Sequence, residues 1–369
     1  MADERAYINV IERKGRMEKL KNLKKAFDGN NLDGILITSD FNRRYITGFT
    51  GTAGVALVGQ NDTKFITDFR YMEQANEQAK GFDVIEHKQP IELEIKDQLS
   101  NMGIKRLGFE KDHVTYSQFE TYKSTFDVEL IPMSGLVEDL RLIKTEEEVQ
   151  IIKQAAKIAD DAFEHIQAFI KPGVKEIDIS NELEFYMRKQ GATSSSFDII
   201  VASGLRSALP HGVASDKVIQ SGELVTLDYG ALYNGYCSDI TRTLAVGEIS
   251  DKLREIYNTV LEAQLRGVNG IKAGITGKEA DALTRDYITE QGYGAYFGHS
   301  TGHGLGMEVH EAPGLSYRTN DKLKTGMVVT VEPGIYIPNV GGCRIEDDIL
   351  IKEEGNERLT LAPKELIQL

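Results

Sequence analysis

Apolar and polar positions along the chain follow two rhythms. Through the first 135 residues, a charged, Leu-spaced stretch from Arg16 to Phe27 reads as helix. Short apolar runs read as strands: GILITS at 34–39, VALVG at 55–59, TKFITD at 63–68, IKRLGF at 104–109 and VELIP at 128–132. Such interleaving predicts an α/β domain. Further on, Thr145 and Glu148 have the form of a capping box, and Val149, Ile152, Ala156, Ala159, Phe163 and Ile166 recur at helical spacing. A long helix is therefore expected from near Glu146 to Pro172-Gly173, where proline cannot continue the hydrogen-bond ladder. The boundary is expected just before it, giving domains at 1–134 and 135–369.

The second part carries an internal repeat. Lys171, Gly173, Val174 and Gln190-Gly191 correspond to Lys272, Gly274, Ile275 and Gln291-Gly292, and GELVTLDYG at 222–230 answers TGMVVTVEPG at 325–334. Two halves, each helical and then extended, predict a pseudo-symmetric domain with a cleft between the copies.

The extended parts hold the chemistry. Asn234-Gly235 is a strong hairpin signal, and a two-residue turn there pairs Tyr233 with Tyr236. Counting outward puts Asp228 opposite Thr241 and Asp239 opposite Gly230, so the two aspartates share one face as diagonal neighbours, roughly 5.5 to 8 Å apart. In the second copy Glu332 matches Asp228, and Glu346 is expected to take the place of Asp239. Four carboxylates converging on one cleft repel one another strongly in a low-dielectric setting, which two divalent cations would relieve. Oxygen-rich ligation without thiolates favours manganese or a similar ion over a structural zinc, with cobalt, iron and catalytic zinc left open.

Histidines add to this set. Three of the seven lie in GHSTGHGLGMEVH at 298–310, a segment too glycine-rich for a stable helix. His303 is a candidate ligand, while His299 and His310 could reach substrate. His211 in LPHG and His310 in EVHEAP give one histidine before each carboxylate hairpin, a pair able to hold a carbonyl oxygen and stabilise a tetrahedral intermediate. No GxGxxG, P-loop or HExxH spacing is present.

Composition narrows the setting. A formal charge of −14 argues against nucleic acid or anionic lipid as partner. No apolar run reaches a membrane-spanning length, and the first thirty residues hold no stretch suited to secretion, so a cytoplasmic protein is expected. Two cysteines cannot build a disulfide framework or a multi-thiolate site.

These segments together resemble the metal-dependent aminopeptidase P and prolidase family. The resemblance rests on FNRRYITGFTG at 41–51, then SGLRSALPHG, LVTLDYG, YCSDITRT, HSTGHGLGMEVHEAP, TVEPGIYIP and GGCRIEDD, and it spans nearly the whole chain. The first fifteen or so residues look like an extension without an assignable role. The resemblance implies an α/β (α+β) protein, with a creatinase-like amino-terminal domain followed by a pita-bread catalytic domain. It also implies five ligands to two metal ions, Asp228, Asp239, His303, Glu332 and Glu346, with Asp239 and Glu346 bridging. His211 and His310 would contact the substrate carbonyl or the intermediate, His299 would line the pocket, Arg344 would support the ligands, and Glu332 would act as general base. The activity implied is hydrolysis of Xaa-Pro bonds in short peptides by a homodimer whose amino-terminal domain closes the site. Dipeptidase (prolidase) is the leading reading and aminopeptidase P the alternative. A nonhydrolytic peptide-binding protein on the same fold is more remote, as is a methionine aminopeptidase.

Overall fold

The computed structural model describes residues 2–369, with side chains from Gly15 onward; the side chains of most of the expected extension lie outside the described residues. The chain divides into two compact units, 1–141 and 142–369.

The first unit is built on one six-stranded mixed sheet. Its strands are β1 (Gly34–Ile37), β2 (Val55–Gly59), β3 (Thr63–Thr67), β4 (Asp83–Glu86), β5 (Arg106–Glu110) and β6 (Glu129–Met133), in the order β4-β3-β2-β1-β5-β6. The helices are α1 (Ala2–Asn30), α2 (Asp40–Thr47), α3 (Met72–Gln78), α4 (Ile91–Asn101), α5 (Tyr116–Thr125) and α6 (Glu138–Arg141). Leu36, Leu57, Ile66, Ile95, Leu99 and Leu107 form a core between sheet and helices. The FNRRYITGFTG segment makes α2 and its exit, where Arg43 donates to the carbonyls of Gly51 and Gly54 at 2.8 and 3.0 Å. Gly135–Arg141, which follows the expected boundary, packs on this unit: the Tyr45 hydroxyl donates to Leu140 O and Arg141 to Asn42 Oδ1, both at 2.9 Å.

The second unit repeats a pair of helices followed by hairpins. The first copy has α7 (Glu146–Ile166) and α8 (Glu176–Lys189), then β7 (Ser194–Ser195), β8 (Ile200–Ser203), β9 (Glu223–Tyr229), β10 (Ala231–Tyr233), β11 (Tyr236–Cys237) and β12 (Ile240–Val246). The second copy has α9 (Asp251–Gly270) and α10 (Gly277–Glu290), then β13 (Gly302–Gly304), β14 (Glu311–Leu315), β15 (Val328–Val331), β16 (Gly334–Ile337), β17 (Gly341–Arg344), β18 (Asp347–Ile351) and β19 (Asn356–Arg358).

Thr145 and Glu148 do form a reciprocal capping box at the start of α7. The helix ends at Ile166, short of Pro172. The residues directly beyond form a turn in which Phe169 N–H donates to Ile166 O at 2.9 Å, and Ile170 then buries itself in the core of the first helix pair.

Strand parity sorts the two faces of the hairpins. Val225, Leu227, Tyr229, Ile240 and Leu244 pack against Ala159, Phe163 and Leu183 of the first helix pair. Val329, Val331, Ile349 and Ile351 pack around Ala280 of α10. The alternate residues, which include the carboxylates, face the cleft.

Candidate metal centre

The cleft carboxylates sit where hairpin ladders end or break. Asp228 is near the end of β9, Asp239 lies between β11 and β12, Glu332 between β15 and β16, and Glu346 between β17 and β18. Tyr233 pairs with Tyr236 across Asn234-Gly235, whose φ angles of 47° and 83° suit a two-residue hairpin turn. Asp228 stands opposite Thr241. Asp239 therefore falls on the same face, diagonal to Asp228, as the spacing predicts.

The second copy departs from the expected equivalence. Val331 pairs with Asp347 and Gly334 with Arg344, so Glu332 and Glu346 face each other directly. Glu346 thus occupies the ladder position of Thr241, not that of Asp239. Ile337 pairs with Gly341 around residues 338–340, with Asn339 at φ 63°, and Glu346 is the sixth residue after that turn, as Thr241 is after Asn234-Gly235, whereas Asp239 is the fourth. Two glycines permit the crowding beside these acids. A Cβ on Gly230 would lie 1.7 Å from Ser238 O, and one on Gly334 would lie 2.4 Å from the Tyr336 hydroxyl.

All four acids are substantially buried, and each has an orienting partner. Arg344 donates through Nη2 to Asp228 Oδ2 and through Nε to Thr241 Oγ1 at 3.1 Å. The Thr241 hydroxyl donates to Glu346 Oε2 at 2.6 Å. Thr330 donates to Glu332 Oε1 at 3.2 Å and accepts from His303 N–H at 3.1 Å. Asp239 N–H donates to Asp348 Oδ2 at 2.9 Å.

Ligand atoms of Asp239, His303 and Glu346 all lie within 4.8 Å of one another. His303 Nδ1 contacts the Gly304 carbonyl at 3.1 Å, which directs Nε2 toward Glu332 Oε1 at 3.2 Å and Asp239 Oδ2 at 3.7 Å. Asp239 Oδ1 is buried and has no hydrogen-bond partner among the described residues. An oxygen left so is costly unless something meets it. Burial pushes the carboxyl groups of Asp228, Asp239 and Glu346 up; the neighbouring carboxylates add to this, while Arg344 opposes it at Asp228 and Glu346. Burial also works against a charged Glu332 and a charged His303, yet their mutual hydrogen bond holds Glu332 down to about 2 and His303 above its ordinary value. Buried carboxylates, an orphaned oxygen and one oriented imidazole suit a divalent cation.

The histidines expected to meet substrate surround this cluster. The His310 ring stands edge-on to His303, centroids 4.4 Å apart, and partial desolvation, then His303, hold it below the ordinary imidazole value; His211 acts in the same sense. His211 is on an exposed turn. His299 is held low by burial; its Nδ1 contacts Ser300 O at 2.9 Å and its Nε2 the Tyr336 hydroxyl at 2.8 Å. Arg344 Nη1 donates to that same hydroxyl at 2.8 Å.

Tyr336, Thr241, Thr330 and Asp348 are not among the residues the sequence singles out. The signal for them is parity. Thr330, Glu332, Tyr336, Arg344, Glu346 and Asp348 all fall on one face of a single extended hairpin.

A repeat of helix pairs and hairpins with this donor set between its copies defines a metal-dependent peptidase. The description "Metallopeptidase family M24" matches residues 150–353, and "Creatinase/Prolidase N-terminal domain" matches residues 19–143. The chain belongs to metallopeptidase family M24. It is similar to a solved Xaa-Pro dipeptidase from Bacillus anthracis, with 66% identity, a TM-score of 0.95, and coverage of 96% of this chain and 100% of that one. An Xaa-Pro dipeptidase of Pyrococcus furiosus is 44% identical over 95% of this chain and 99% of its own. The X-Pro aminopeptidase structure from Thermotoga maritima is 41% identical, with a TM-score of 0.88 over 94% of this chain and 100% of that one. Among the described residues, no helix is long and apolar enough to cross a membrane.

Proposed function

We propose that this chain is a dinuclear-metal Xaa-Pro dipeptidase acting on short peptides as a cytoplasmic homodimer, with manganese as the working ion and cobalt, iron or zinc as substitutes. The observation that carries the reading is the buried, unpartnered Oδ1 of Asp239 in a cluster with His303 and Glu346. The dipeptidase relatives supply the substrate class.

In this reading Asp228, Asp239, His303, Glu332 and Glu346 would hold the ions, with Asp239 and Glu346 contributing to both. When bound, the ions supply Lewis acidity and make water a nucleophile near neutral pH. The two oxygens of Glu332 divide ligation from proton transfer. Oε1 faces His303 and Thr330, while Oε2 accepts no hydrogen bond among the described residues and is 4.0 Å from His299 Nδ1. Oε2 takes the proton from the attacking water and passes it to the leaving amine. His310 and His211 hold the scissile carbonyl oxygen and the charge it gains. Arg344 keeps Asp228, Thr241 and Tyr336 fixed throughout, and His299, braced on Tyr336, lines the pocket.

The test is hydrolysis of Ala-Pro and Ala-Pro-Ala side by side, after chelation and after manganese is restored. Metal-dependent cleavage of Ala-Pro alone is the expected result. Cleavage of the tripeptide would favour the aminopeptidase P reading, to which the Thermotoga relative lends weight. Failure on both peptides with every metal would overturn the Xaa-Pro assignment.

A further inference from the structure

We propose that Glu176 and Arg206, both outside the metal centre, are positioning residues for His211; this rests on the peptidase reading above. Glu176 is the first residue of α8 and fully buried. Its Oε1 accepts from Ser203 N–H and Ser203 Oγ, both at 2.8 Å. Its Oε2 accepts from Arg206 Nη1, from Ser215 Oγ at 2.7 Å and from Ser215 N–H at 3.3 Å. A buried carboxylate is tolerated only when its oxygens are met, and every group that meets these two lies in residues 203–215.

Arg206 carries the hold across that segment. Its Nη2 donates to Val213 O at 2.8 Å, so one guanidinium links Glu176 to both ends of the loop. Within the loop Leu209 N–H donates to Arg206 O, Gly212 N–H to Leu209 O and Val213 N–H to His211 O, at 2.8, 3.1 and 2.9 Å. On the other side Ser207 Oγ accepts from Gly342 N–H at 2.8 Å, and Pro210 O accepts from Arg344 at 3.1 Å. The His211 side chain makes no hydrogen bond among the described residues. Its ring therefore takes its position from the backbone that Glu176 and Arg206 fix from one side and Arg344 from the other. A catalytic group displaced by about an ångström loses up to 10²-fold in rate, so a distant clamp can govern turnover.

A double-mutant cycle on the manganese-loaded full chain, with Ala-Pro as substrate, tests this. E176Q keeps an oxygen acceptor but discharges the pair with Arg206; kcat is expected to fall on the order of 10- to 100-fold with metal content unchanged. E176Q/H211A should be no slower than H211A alone, because the clamp acts only through that ring. R206M should couple to H211A in the same way, with R206K recovering part of the loss, and this arm serves if E176Q does not fold. Losses that multiply in the double variants, or clamp variants with wild-type turnover, overturn the proposal. A wild type inactive on both Ala-Pro and Ala-Pro-Ala instead overturns the peptidase reading, and this inference with it.

Discussion

The backbone amide of Asp239 donates to the buried carboxylate of Asp348 at 2.9 Å, joining the first hairpin to the second directly behind the metal centre. Asp239 belongs to one copy of the repeat and Asp348 to the other, so this bond sets how the two donor groups approach each other. D348N keeps an acceptor for the amide and should retain metal close to wild type. D348A removes it and should weaken metal binding by about 10- to 100-fold, the scale on which partners behind metal ligands act. Metal retained after graded chelation, measured by elemental analysis, decides this. Wild-type retention by D348A would show that the bond does not orient Asp239.

Asp239 itself is expected to be indispensable. Its side chain offers Oδ2 toward His303 and leaves Oδ1 without a partner, so Asn at this position withdraws charge where the cluster needs it. D239N should lower kcat by roughly three orders of magnitude or more, as when a member of a cooperating catalytic unit is removed. Helix content by circular dichroism should stay near wild type. Wild-type turnover by the metal-loaded variant would sink the assignment of Asp239 as a shared ligand.

The opposite face of the same hairpins holds a different kind of acid. Asp347 is fully buried and meets Arg242 Nη2 and Lys364 Nζ, each at 2.7 Å, and Gln264 Nε2 at 3.0 Å. Arg242 is itself buried and comes from the first copy, so this pair ties the copies together on the face away from the carboxylate cluster. D347N leaves a buried guanidinium short of its counter-charge and should cost about 3–5 kcal/mol in urea unfolding. T145A, which removes the N-cap of α7, should cost only about 1 kcal/mol. Equal costs for the two would mean that the ion pair contributes little beyond its hydrogen bonds.

Much of this is legible in the residues alone, and what is not has a physical reason. The register of the first hairpin follows from Asn234-Gly235, because a two-residue turn leaves one way to count. The second hairpin has no such signal at 338–340, and counting from its three-residue turn puts Glu346, two residues further from the turn than Asp239 is in the first hairpin, in the place of Thr241. A two-residue offset keeps the parity, so Glu346 still shares a face with Glu332 as the sequence implies, although the ladder equivalence does not hold. The end of α7 escapes the pattern because Pro172 marks only where a helix cannot continue; the helical ladder already gives way to a turn at residues 167–169, where Phe169 N–H donates to Ile166 O. Glu176 is invisible for a different reason: its partners lie at positions 203–215, brought to it by the folded chain and by no local pattern.

Thiol chemistry offers a last check on the site, because Cys237 and Cys343 lie close in sequence to Asp239 and Glu346 and both are free and buried. Burial pushes the Cys343 thiol up to about 12, and its side chain has no exposed surface. An accessible thiol of ordinary pKa near 8.5 gains close to tenfold in thiolate, and so in reactivity, for each pH unit below that value. The folded protein should therefore react negligibly with a disulfide reagent between pH 7 and 9, without that rise, and should keep full peptidase activity. After unfolding in denaturant, both thiols should titrate. A native-state rate that climbs with pH, or inactivation in step with labelling, would mean that one of these cysteines is exposed and takes part in the chemistry, contrary to a centre built from carboxylates and imidazole.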